Sequence, residues 1–66
     1  MPKTQNIVNA HLRDAKEALA VRDLESAEWS CWTAMQEAEE LNNTDRQKVS
    51  VRARTLLSAI NHRRDK

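Results

Sequence analysis

Glycine is absent from this chain, and its one proline stands at position 2. Strand-rich folds draw on both residues for their turns, glycine for positive φ and proline for a preset φ. Ala, Leu, Glu, Arg, Lys and Gln dominate instead, and all of them favour helices. The expected fold is therefore all-α.

Size sets the second bound. Sixty-six residues make a single domain, 1–66, and a chain this short buries only about 60% of the surface its unfolded form exposes. Small domains compensate with disulfides, a metal, oligomerisation or very regular helix packing. One cysteine excludes an intrachain disulfide. Cys31, His11 and His62 are the candidate metal ligands, and their separation matches no zinc-type spacing. No metal and no cofactor is expected, which leaves helix packing and oligomerisation.

Hydrophobic periodicity divides the chain into three helices, expected over about 4–21, 24–41 and 45–63. The first carries Val8, Leu12, Ala15 and Leu19 on one face, with Ile7, His11 and Ala18 at its flanks. The second carries Leu24, Ala27, Cys31, Ala34, Ala38 and Leu41 at alternating spacings of three and four, a heptad seam. The third carries Val49, Ala53, Leu56 and Ile60, with Leu57 beside them. Between the first two, the stripes are out of register by roughly 200°, which places a tight turn at Arg22-Asp23. A continuous helix through this point is the alternative. Asp23 is a natural N-cap, and Glu25 suits the first turn of the second helix. Thr44 and Gln47 are spaced as a capping box for the third. Asn42 and Asn43 tolerate the left-handed conformation that ends a helix, and so are expected to replace the missing glycine there.

The aromatic supply is confined to "AEWSCWTAM", residues 27–35, with Trp29 and Trp32 and no Phe or Tyr anywhere. On a helical wheel Trp29 lies nearly opposite the small-residue seam, and Trp32 falls to one side with Glu28, Met35 and Glu39. Helix three is expected to cover Trp32 with Leu56, Leu57 and Ile60, making that ring a core plug. Trp29 is expected to be exposed as a handle for a partner, since Trp is enriched at binding hot spots. The expected interface is thus Trp29, Trp32 and Met35, with Leu56, Leu57 and Ile60 beside them, in a helical homodimer.

"RDLESAEWSCWTAMQEAEEL" resembles the turn and second helix of a tetratricopeptide-type hairpin. Ala15 matches the small residue of the first helix, Asp23 and Leu24 lie in the turn, and Ala27 and Ala34 are seven apart on the second helix. The resemblance covers residues 8–41. It lacks the family's large aromatics in the first helix, its turn glycine (here Arg22) and its closing proline. It implies a helical hairpin, followed here by a third helix, and a role in binding a peptide or protein. There is one unit, where a solenoid needs three or more.

Charge is nearly balanced at +1 but sorted along the chain. Asp23, Glu25, Glu28, Glu37, Glu39 and Glu40 fall in a segment with no base, and Glu37, Glu39 and Glu40 read as a solvated face. Arg46, Lys48, Arg52, Arg54, Arg63, Arg64 and Lys66 follow. These bases could meet phosphates, and they carry a competing expectation of a nucleic-acid-binding regulator. Arg52 and Arg54 lie on different sides of the helix, however, so the bases form no single stripe.

No catalytic residue is expected. Cys31 sits in the small-residue seam, where a thiol behaves as a small hydrophobe, and no cation adjoins it to lower its pKa. His11 flanks an apolar stripe, and His62 lies in the basic terminus. Without glycine there is no phosphate-cradling loop. No apolar run reaches the roughly 20 residues of a membrane span. The start "MPKTQNIVNAHLRD" lacks a signal-peptide core, and Pro2 stands where myristoylation needs glycine. A cytoplasmic location is expected. The expected function is a small non-enzymatic binding protein of accessory or phage type, acting as adaptor or inhibitor of a larger protein.

Overall fold

The computed structural model describes residues 3–65; Pro2 and Lys66 lie outside them. Among the described residues there are three α-helices and no strand: α1 (Lys3–Ala20), α2 (Leu24–Glu37) and α3 (Asn43–Arg64), with a 3-10 turn, Ala38–Glu40, extending α2. α1 and α2 form a helical hairpin with extensive contact, and α3 lies mainly against α2.

The α1–α2 turn is a complete Schellman motif. The Asp23 amide donates to the Ala18 carbonyl at 2.8 Å, and the Arg22 amide to that of Leu19 at 3.1 Å. The motif requires a left-handed residue, and Arg22 supplies it at φ 64°. Asp23 then begins the next element, its carboxylate accepting from the Ser26 amide at 3.3 Å. One residue thus closes one helix and caps the next, so the two stripes can face each other across a minimal connection.

The second junction departs from expectation in three ways. α2 ends at Glu37 and tightens into the 3-10 turn; the seam nevertheless continues through buried Ala38. Neither asparagine is left-handed, because extended Leu41 (ψ 164°) and Asn42 (ψ 168°) make the reversal. The cap of α3 is Asn42, whose side-chain oxygen accepts from the Asp45 amide at 2.9 Å. Thr44 lies inside the first turn, so the expected capping box gives way to this cap two residues earlier, and α3 starts at Asn43.

The expected stripes make the core. Val8, Leu12, Ala34, Ala38, Val49 and Ala53 form one cluster; Ala15, Leu19, Ala27, Cys31 and Ile60 form another. Leu56 packs against both. Five of these eleven buried residues are alanine, and none is aromatic. Small side chains permit close helix approach, but the largest fully buried ones are only Leu12, Ile60, Val8 and Cys31. The molecule measures 38 × 16 × 13 Å.

Candidate protein-interaction face

Both tryptophans face outward: Trp29 is 74% exposed and Trp32 55%. Helix α2 holds its seam of Ala27, Cys31 and Ala34 against its neighbours, and the geometry of 100° per residue carries the rings to the far side. The Thr33 hydroxyl donates to the Trp29 carbonyl at 2.8 Å, a local bond on this exposed face.

The expected covering of Trp32 is therefore corrected. Ile60 is wholly buried, packed with Ala15, Leu19, Ala27 and Cys31, so it is a core residue and contributes no surface to an interface. Leu56 and Leu57 are half-buried and also turn toward the core. Helix α3 lies over the small-residue seam, and its apolar stripe is spent there. Met35 is half-buried at the edge of the core. The exposed pair is thus Trp29 and Trp32, with half-buried Met35 one turn beyond Trp32 on the same helix.

A surface groove runs between α2 and α3, and neither ring is among the residues that line it. Met35, Ala38 and Glu39 line one side; Arg46, Ser50, Val51 and Arg54 are among those lining the other. Val51 is 60% exposed and is an apolar surface residue that the stripe analysis missed. Its only signal is its position two residues after Val49, on the opposite side of the helix from the core.

The bases are dispersed. Arg64 pairs with Glu28 at 2.7 Å, and Arg46 donates to the Asn43 side-chain oxygen at 2.7 Å. Arg46 and Arg54 line the groove toward α2. Lys48 and Arg52 border a different depression. Arg63 is exposed near the end of α3.

Cys31 is buried, and its thiol pKa is raised, first by burial and then by the Glu28 carboxylate. It is held in its protonated, unreactive form. No group of three His, Cys, Asp or Glu residues able to hold a metal occurs among the described residues. No helix among them is long and apolar enough to cross a membrane. Comparison with protein-family models, with curated proteins and with solved structures finds no match to this chain.

Proposed function

We propose that this chain is a non-enzymatic helical binding module that occupies a surface on another protein, as an adaptor or inhibitor, through the tryptophan face of α2. The observation that carries this reading is the placement of both aromatic rings outside a core that contains none. Burying large side chains is the main stabilising term open to so small a domain, and here the two largest are left in water. Trp is a preferred anchor at protein interfaces because it brings area at low entropic cost. The tetratricopeptide-like hairpin supports the same class of function. The reading includes a location in the cytoplasm and an accessory role of the kind found in phages and mobile elements.

Capture from cell extract tests it. A protein retained by the wild type and lost with Trp29→Ala/Trp32→Ala supports the reading; equal retention by both overturns it. The competing reading, a nucleic-acid regulator, draws on the exposed Lys48, Arg52, Arg54 and Arg63 of α3. Sequence-selective DNA retention that persists as salt rises would favour it.

A further inference from the structure

The core of this domain is thin, its aromatic rings are outside, and the α2/α3 groove carries Arg46 and Arg54 on its α3 side and Glu39 on its α2 side. These features complement one another in charge and spacing. The exposed strip of α2 carries Glu25, Trp29 and Trp32 and has no base. Met35 and the exposed Val51 are the apolar residues that the groove presents to a ring; Arg46 and Arg54 line it from α3 and Glu39 lines it from α2.

The spacing matches as well. The Glu28–Arg64 ion pair shows that α2 and α3 run antiparallel. A foreign helix laid antiparallel to α2 therefore runs parallel to α3. At about 1.5 Å per residue, Trp32 and Glu25 are roughly 10 Å apart along their helix, and Arg54 and Arg46 roughly 12 Å along theirs. A second α2 that sets Trp32 on Arg54 also sets Glu25 at Arg46. The first contact is a cation–π pair and the second an ion pair. Arg46 is already held by Asn43 and retains further N–H donors.

We infer that the tryptophan face is occupied by a second copy of this chain, in a two-fold dimer with the α2 helices antiparallel and each copy's Trp32 and Trp29 seated on the other's α2/α3 groove. This rests on the reading of that face as a protein-binding surface and names its occupant. Two-fold symmetry makes every contact twice. A Trp side chain offers roughly 150–250 Å², so four rings, each more than half exposed, supply on the order of 500 Å². That is a substantial share of the roughly 1,200–2,000 Å² that a stable interface buries. The acidic α2 and basic α3 set the orientation, which is what complementary charge does best at an interface.

Sedimentation equilibrium of the intact chain, from micromolar to near-millimolar concentration, tests the inference, with circular dichroism confirming that each variant is folded. The wild type is expected to dimerise, and Trp32→Ala to raise the dissociation constant at least about tenfold. Glu25→Arg and Arg46→Glu should each weaken the dimer several-fold, and the two together should restore it to within about threefold of wild type. All of these positions are exposed, so loss of fold is not the expected cause. A wild type that stays monomeric throughout overturns the inference. So does a dimer indifferent to Trp32→Ala, or one in which the paired reversal is no better than the worse single variant. Failure of the broader reading looks different: an extract partner held equally by wild type and Trp29→Ala/Trp32→Ala removes the binding face itself, whereas a monomer that captures a partner through its rings removes only self-association.

Discussion

The Arg64 guanidinium donates to the Glu28 carboxylate across 2.7 Å, joining the last turn of α3 to the second turn of α2. Glu28 belongs to the acidic segment and Arg64 to the basic one, so part of the charge sorting along the chain is resolved within a single molecule. The two side chains are 49% and 37% exposed. Solvent screens such a pair, and exposed ion pairs contribute about 0.2–1 kcal/mol. Glu28→Gln should lower stability to urea by no more than about 1 kcal/mol, with a difference that shrinks as salt rises. A larger, salt-insensitive loss would show that the pair locks α3 in place.

Arg22 holds the left-handed conformation at φ 64° that glycine adopts without strain. A side chain with a Cβ there costs about 1–2 kcal/mol, partly offset because glycine is freer in the unfolded state. Arg22→Gly should raise stability by about 0.5–1 kcal/mol and Arg22→Val should lower it. Equal stability of the three proteins would mean that the turn is not held in the Schellman geometry.

Asn42, and not Thr44, accepts from the Asp45 amide. Asn42→Ala should therefore cost about 1 kcal/mol, while Thr44→Ala should stay within about 0.5 kcal/mol, as for an ordinary surface substitution. Chemical denaturation of the two variants separates the alternatives, and the reverse order would restore the cap to Thr44.

The stripes Val8-Leu12-Ala15-Leu19 and Ala27-Cys31-Ala34-Ala38 were legible because a helix must bury one face, and spacing alone identifies it. The break at Arg22-Asp23 was legible as a phase jump between them. The cap of α3 was not, because Asn42 and Thr44 are both good N-caps and the choice depends on where extended Leu41 delivers the chain. The exposure of Trp32 is not legible in the sequence for a related reason. Its angle on α2 was right, but whether a ring at that angle is covered depends on the path of α3. With Ile60 drawn into the Ala15–Cys31 cluster and Leu56 and Leu57 packed against the core, the apolar stripe of α3 is turned away from the ring. The groove combines residues of two helices and has no one-dimensional signature; Val51 alone hints at it.

Burial, with the Glu28 carboxylate adding to it, lifts the Cys31 thiol above its ordinary value of 9.0. A raised folded-state pKa stabilises the fold fully below the unfolded value, and that contribution is lost as pH rises through the folded one. Above pH 9.0 the unfolded thiol ionises while the folded one resists. The stability of wild type relative to Cys31→Ala should thus be constant near neutrality and fall above that pH. Comparing the two proteins cancels the titration of lysines. A difference that stays flat to strongly alkaline pH would place the thiol in contact with water.

Ala34 is wholly buried and packs in one cluster with Val8 and Leu12 of α1 and Val49 and Ala53 of α3. It therefore stands where all three helices meet, and its single methyl sets how closely they approach. Leucine adds branched bulk at a position with no exposure, and overpacking of this kind costs about 1–3 kcal/mol. At roughly 4–8 °C per kcal/mol for a domain this small, Ala34→Leu should depress the melting temperature by at least about 4 °C. Gln36→Leu, two positions on and exposed, adds a similar side chain outside the seam and should leave the melting temperature nearly unchanged. If Ala34→Leu melts with the wild type, the seam has room to spare and close packing of small residues is not what holds the three helices together. If both variants fall equally, the effect belongs to leucine on α2 and not to the seam.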